Sequence, residues 1–120
     1  MTMGENSTKD ITKTTDAGSR YNTGKLKWSY IHWPSMEELV KVMEYGATKY
    51  EPNNWKKGLY ITEVSESLLR HLFAFLEGED IDEESGESHL GHILCNAMFL
   101  NYMYKFNPEF DDRENKAGIK

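Results

Sequence analysis

The chain has 120 residues, enough for one domain and too few for two, since single cores run to roughly 100–200 residues. Its apolar fraction of 38% lies below the roughly 45–50% of an average globular chain, so apolar groups must be concentrated in a few segments. Fourteen Lys and Arg against twenty Asp and Glu give a net charge of -6, which argues against a general nucleic-acid binder and means that an anionic ligand needs a metal ion or a local basic patch. The single cysteine, Cys95, excludes an intramolecular disulfide. No charged-then-apolar leader and no apolar run of roughly 18–20 residues is present, so a soluble, cytoplasmic protein without a membrane partner is expected.

Residues 1–19 carry Thr, Ser, Asp, Lys and Gly with few large apolar groups, and read as a disordered arm. A short piece near Trp28–Trp33 is the one candidate for extended structure. The first helix is expected from Ser35, because Ser35 and Glu38 form an S-x-x-E capping box after Pro34. Met36, Leu39, Val40, Met43, Ala47 and Tyr50 then share one face, and Pro52 ends the run. Gly46 within this helix costs about 1 kcal/mol relative to Ala, which implies a close backbone approach, most simply by a neighbouring helix.

A second helix is expected over Thr62–Glu77, with Val64, Leu68, Leu72, Phe75 and Leu76 inward and Gly78 as its stop signal. An acidic loop follows, and a third helix is expected over Ser88–Tyr104 with Leu90, Ile93, Leu94, Ala97, Leu100 and Tyr104 on one face. Residues 107–120 read as a flexible tail, leaving 20–106 as the working domain. The fold class is all-α: a small helical bundle with flexible tails. Three helices cannot cover their own apolar faces at this size, so a homo-oligomer is expected to complete it.

The third helix opens with His89-x-x-His92 and continues to Asn96, three residues along one stripe. Two imidazoles at this spacing reach one cation of the Zn, Mn, Fe, Co or Ni class, or else hydrogen-bond to loop carboxylates with no metal. His71 on the second helix faces the interior edge, where a satisfied core histidine is the alternative; Glu66 and Arg70, four apart, can also form a plain surface pair. The loop holds Glu77, Glu79, Asp80, Asp82, Glu83, Glu84 and Glu87 within eleven residues, a density that repels itself unless something cationic offsets it. Because the loop joins the helices that carry His71, His89 and His92, Asp82 or Glu84 must lie near the same end of the bundle, as a metal site requires. A basic and aromatic group balances this acidity: Arg20, Lys25, Lys27 and Trp28, then Lys49, Asn54, Trp55, Lys56 and Lys57. It suits a base and its phosphates, or a pair of solvated loops whose tryptophans plug the core.

The strings Arg20-Tyr21-Asn22-Thr23-Gly24-Lys25, Glu44-Tyr45-Gly46-Ala47-Thr48-Lys49-Tyr50, Asn54-Trp55-Lys56-Lys57-Gly58, Arg70-His71, Gly78 to Gly86, and His89-Leu90-Gly91-His92 with Asn96 stand in an order that resembles the phage-encoded dATP/dGTP diphosphohydrolase-like family over residues 18–104. That family is grouped with the MazG-like all-α nucleoside triphosphate pyrophosphohydrolases. The resemblance implies hydrolysis of a deoxypurine nucleoside triphosphate between its α- and β-phosphates, to a monophosphate and pyrophosphate. MazG-like enzymes typically carry E-x-x-E and E-x-x-D pairs that bind Mg2+. Here His89-x-x-His92 stands where an acidic pair is expected, and Glu63-x-x-Glu66 can imitate the other.

The resemblance implies a divalent metal cofactor, Mn, Mg or another transition metal. Its ligands are expected among His71, Asp82, Glu84, His89 and His92, with Asp82, Glu84 and Glu66 as catalytic carboxylates that orient water. Arg20, Lys25, Lys49, Lys56 and Arg70 would hold phosphates, with Trp28, Trp55, Asn54 and Asn96 around the rest of the nucleotide. The alternative is a non-catalytic phage protein that binds and sequesters a signalling nucleotide through the same Lys, Trp and Asn set.

Overall fold

The computed structural model of the protein describes residues 18–21 and 23–115. Residues 1–17 of the expected arm and 116–120 of the expected tail lie outside that range. The chain divides into two compact units, one ending at Ser35 and one beginning at Met36. In the first, the piece expected to be extended is instead a 3-10 turn over Trp28–Tyr30, closed by Tyr30 N–H donating to Lys27 O at 3.1 Å. A second turn spans Trp33–Met36. Ser35 does not cap a helix, because its hydroxyl is engaged locally with His32 Nδ1 at 2.7 Å, an option open to short polar side chains.

Three α-helices form the second unit: α1 (Glu37–Lys49), α2 (Ile61–Leu76) and α3 (His89–Phe106). This is an all-α fold, and α3 packs against both α1 and α2. Among the described residues the one β-pairing is an isolated antiparallel bridge, Ile81 to Ser88. No helix among them is long and apolar enough to cross a membrane. Glu37 and Glu38 place negative charge in the first turn of α1, where the helix dipole favours it. The inward stripe of α1 runs through half-buried Leu39, Met43 and Gly46 and buried Val42, so Val40, Ala47 and Tyr50, expected inward, are exposed.

The close approach expected at Gly46 belongs to another glycine. A Cβ at Gly91 of α3 would sit 2.7 Å from the backbone oxygen of Glu38, so Gly91 lets α3 cross α1 closely, whereas a Cβ at Gly46 meets no described atom within 4 Å. The face of α3 also differs from expectation. His89, Gly91, Cys95, Asn96 and Met103 are buried, while Leu90 (45% exposed), Ala97 and Tyr104 (64%) face outward. The physical reason is that α3 is apolar nearly all round, so periodicity alone cannot fix its rotation; the glycine crossing and the polar partners of His89 and Asn96 do.

The segment after α3, read as tail, is docked through residue 112. Asn107 Nδ2 donates to Lys56 O at 3.1 Å, and the Phe110 ring lies 5.0 Å from that of Tyr60, filling the space that a side chain at Gly58 would need. Asp112 then accepts from Thr62 N at 3.0 Å and Thr62 Oγ1 at 2.6 Å, capping the N-terminus of α2 from fifty residues away. These contacts hold the α2 end of the bundle opposite to the end where its histidine lies.

Candidate functional site

The loop between α2 and α3 is built, not merely solvated. Gly78, at φ +102°, closes α2 with a Schellman pair: Gly78 N–H donates to Phe75 O and Glu79 N–H to Ala74 O, both at 3.0 Å. The chain then doubles back. Asp82 N–H donates to Glu87 O at 2.9 Å, Gly86 N–H to Asp82 O at 2.8 Å, and His89 N–H to Asp80 O at 2.9 Å. Ser88 caps α3 by accepting from Gly91 N at 2.9 Å. The turn brings Asp82 and Glu79 against histidines from both helices.

His89, only 3% exposed, sits at the centre. Its Nε2 lies 3.0 Å from Glu79 Oε2 and its Nδ1 lies 2.8 Å from His71 Nδ1. A carboxylate only accepts, so Nε2 of His89 donates to Glu79, and Nδ1 is turned toward His71. His92 stacks on His71 with ring centroids 4.3 Å apart and planes 3° from parallel. Its Nε2 donates to Ser85 Oγ at 2.8 Å, and Ser85 donates that hydroxyl proton to Asp82 Oδ2, also at 2.8 Å. A second bond, from Ser85 N–H at 3.0 Å, fixes the same carboxylate oxygen.

The electrostatics follow from this packing. Burial pushes the imidazolium form of His71 down, helped by His92 beside it, and burial does the same to His92. Both rings are therefore held neutral. For Asp82, burial pushes upward, but the two hydrogen bonds from Ser85, with His92 and His71 nearby, outweigh it and hold the carboxyl below its ordinary range. A neutral, desolvated imidazole such as that of His71 beside an ionised carboxylate is the state in which such groups ligate a cation.

His71, Asp82 and His89 each offer a ligand atom, and these atoms lie within 4.8 Å of one another. The set fits a divalent transition metal: two imidazoles and one carboxylate, with Glu79 behind His89 as the partner that fixes a ligating ring. His92 stands beside this trio, orienting Asp82 through Ser85. Glu84, expected among the ligands, points elsewhere: it is exposed and pairs with Lys49 at 3.5 Å. Glu63 and Glu66 are exposed on α2 and do not join the cluster.

The expected substrate residues fall into three groups. Arg20, Lys25 and Trp28 lie in the first unit and are exposed there. Arg70 and Lys56 are exposed in the second, with Lys56 Nζ 5.6 Å from the Trp55 ring centroid. Lys49, Asn54, Trp55 and Asn96 gather about a cavity of about 440 Å³, of which the last three are walls. Asn96 is buried and donates to Ser67 Oγ at 3.2 Å, and Trp55 stacks on Phe99 with centroids 4.6 Å apart. His92 forms part of the same wall, so one ring faces both the cavity and the metal-fitting trio. Lys49 stands beside Tyr45 and Tyr50, both cavity residues, and those phenols first, then Glu84, hold its ammonium more firmly charged. Cys95, also in the wall, has its thiol pushed up to about 11 by burial and is no nucleophile.

Ser85, Glu79 and Ser67 were not singled out by the sequence. A serine inside an acidic loop and a serine on a helix carry no spacing signature, and Glu79 is one of seven acids in the loop. The Asp82-x-x-Ser85 spacing, which suits an Asx-type turn, is the one signal that points to Ser85.

Comparison with known proteins agrees with the strings quoted above. No solved structure matches the chain. A protein named dATP/dGTP diphosphohydrolase from Salmonella phage PMBT28 is 30% identical over 102 residues, a match that covers 85% of this chain and 35% of that protein. The family model described as dATP/dGTP diphosphohydrolase, N-terminal, matches residues 15–113, which contain every residue of the cluster and the cavity, and the chain belongs to that family.

Proposed function

We propose that the chain hydrolyses a deoxypurine nucleoside triphosphate between its α- and β-phosphates, releasing a monophosphate and pyrophosphate, with a divalent cation held by His71, Asp82 and His89. The observation that carries this reading is the convergence of two imidazoles and a carboxylate beside a cavity with an aromatic wall. The name of the phage relative supports the substrate class. When bound, the cation supplies Lewis acidity toward phosphoryl oxygens and acidifies water.

The chain's own groups do the rest. Glu79 holds the His89 ring with its Nδ1 turned toward His71, and Ser85 holds the Asp82 oxygen in place. His92, neutral and lining the cavity, accepts the proton of the attacking water through Nδ1 while its Nε2–H stays on Ser85. The water oxygen bonds to the α-phosphorus as the bond from that phosphorus to the bridging oxygen breaks, and pyrophosphate leaves with the electron pair. Lys49, charged and within 3.5 Å of Glu84, exchanges that partner for the departing phosphates.

Incubating the chain with dATP or dGTP and Mn2+ or Mg2+, then measuring pyrophosphate, tests this reading. Release that Asp82→Asn suppresses is the expected result. A second reading, nucleotide binding without turnover, is favoured by the exposure of Glu63 and Glu66, which leaves the acidic pair typical of MazG-like enzymes outside the cluster. Nucleotide affinity with no pyrophosphate release under any metal would select it.

A further inference from the structure

One wall of the cavity comes from the connection between α1 and α2, where Asn53, Asn54, Trp55 and Leu59 line it. Asn54–Lys57 form a 3-10 turn, entered through Asn53 at φ 67° and left through Gly58 at φ 134°. The backbone hydrogen bonds here are local: Asn54 N–H donates to Glu51 O and Lys56 N–H to Asn53 O, both at 3.0 Å, and Gly58 N–H to Trp55 O at 3.1 Å. Such bonds shape the turn without fixing it against the helices. Its Trp55 ring does part of that, stacked on Phe99 at 4.6 Å and edge-on to Tyr102 at 4.7 Å, both on α3. The rest comes from the segment after α3. Asn107 Nδ2 donates to Lys56 O at 3.1 Å, which among the described residues is the one hydrogen bond from this turn to a distant element. The Pro108–Phe110 turn then sets the tip of the Phe110 ring in the volume that a Cβ at Gly58 would take, and Asp112 ties the segment to Thr62 at the start of α2.

We propose that residues 107–112 are a strap that sets the position of the Trp55 wall, with Asn107 and Phe110 as positioning residues that govern how tightly the cavity holds its ligand. Neither residue lines the cavity. The proposal rests on the hydrolase reading for the identity of that ligand, a deoxypurine nucleoside triphosphate, and not for the coupling of strap to wall. Gly58 has a backbone conformation that other residues rarely adopt, so the exit of the turn can swing there unless the space beside it is filled. Phe110 fills it. In a close-packed interior a displaced ring shifts its neighbours, so loosening the strap moves the wall without unmaking a helix. His71, Asp82, His89 and His92 are held by bonds of the α2–α3 loop that do not involve the strap. The loss is therefore one of binding alone, which raises KM and leaves kcat in place. A segment that only stabilised the fold would do the opposite: a smaller folded fraction lowers the apparent kcat and leaves KM unchanged.

The test uses the full chain, with pyrophosphate release from dATP and dGTP in Mn2+ and calorimetric titration of their α,β-methylene analogues, which cannot be cleaved at that bridge. Phe110→Ala is expected to raise KM by about fivefold or more and to weaken the analogue equally, with kcat within about twofold of the native value. Asn107→Leu, which keeps bulk but removes the amide donor, is expected to raise KM less, and Phe110→Leu to restore most of the native KM. Val64→Ala, buried in α2 away from the cavity, supplies the comparison and is expected to lose stability at unchanged KM. With Trp28→Phe and Trp33→Phe leaving Trp55 as the one tryptophan, acrylamide should quench its fluorescence more strongly once Phe110→Ala is added. Should Phe110→Ala fail to fold, the KM and the quenching of Asn107→Leu decide. An unchanged KM in the strap variants, a fall in kcat alone, a Val64→Ala that raises KM as far, or quenching no stronger than with the native strap would overturn the proposal. Analogue binding that Phe110→Ala weakens, without turnover of any triphosphate, would leave the strap standing and sink the hydrolase reading. Turnover with none of these shifts would do the reverse, and a native chain that neither binds the analogues nor turns over a triphosphate would overturn both.

Discussion

The two faces of α3 are opposite in character to what its composition suggests. One face carries His89, Asn96 and Cys95 and is buried; the other carries Leu90, Ala97 and Tyr104 and is exposed. On α2 the same contrast recurs, with half-buried His71 against exposed Leu69, Phe73 and Leu76. Polar side chains are tolerated on that face, beside Cys95 and Met103, because each has a hydrogen-bond partner: Glu79 for His89, Ser67 for Asn96, Ser85 for His92. The exposed face carries large apolar side chains, and a second copy of the chain is the proposed cover.

The contrast can be broken first at the buried face, where effects should be largest. Asp82→Asn is expected to lower pyrophosphate release by about 100- to 10,000-fold while the far-UV spectrum stays unchanged, because it alters one oxygen-bearing group in a pre-formed turn. Met103→Ala, at a residue with no exposed surface, should cost about 2–5 kcal/mol in denaturant unfolding. By contrast, Leu90→Glu on the other face should change the unfolding free energy of an isolated chain by no more than about 0.5 kcal/mol. Its effect should appear instead in light scattering: the native chain is expected to run as at least a dimer, and Leu90→Glu as a monomer. A native chain with the mass of one copy, 14.0 kDa, would remove the pairing argument.

Smaller effects sharpen the picture. Glu79→Gln leaves a ligating ring less firmly oriented and should weaken divalent-metal affinity by about 10- to 100-fold, read by calorimetry. Asp112→Ala removes the distant cap of α2 and should cost about 1 kcal/mol. In the metal-free protein, pH should act through His71 and His92, whose values are lowered from 6.5 by burial. Between the lowered folded values and 6.5 the unfolded chain binds more protons than the folded one, so stability is full above pH 6.5 and is lost as pH falls through the folded values. Thermal melts across pH 5 to 8 in EDTA read this directly, and a flat profile would contradict the burial argument.

Much of the bundle was legible in the chain. Val64, Leu68, Leu72 and Phe75 recur at helical spacing and do line the inner side of α2, while Gly78 ends that helix by the mechanism its position suggests. The rotation of α3 was not legible, because a helix with apolar residues on every side has no preferred stripe, and the residue that selects its face, Gly91, reads as a weak helix former until the Glu38 backbone is seen beside it. The convergence of His71, His89 and Asp82 follows from a short loop between two helices, which the spacing shows. Which of seven loop acids turns inward depends on backbone hydrogen bonds among Asp80, Asp82, Gly86 and Glu87, and these have no linear signature. Asp112 was hidden for a different reason: its segment is tail-like in composition, and it docks by one ring, Phe110, and one carboxylate.

The central claim is that the polar face of α2 and α3 exists to hold a cation beside the cavity. Titrating the native chain, His71→Ala and Asp82→Asn with Mn2+ and Zn2+ by calorimetry at neutral pH tests it most directly. Binding by the native chain that is lost in both variants, with helicity retained, is the predicted result. A native chain that binds neither ion, or variants that bind as the native chain does, would contradict it and leave the three histidines as hydrogen-bonded packing.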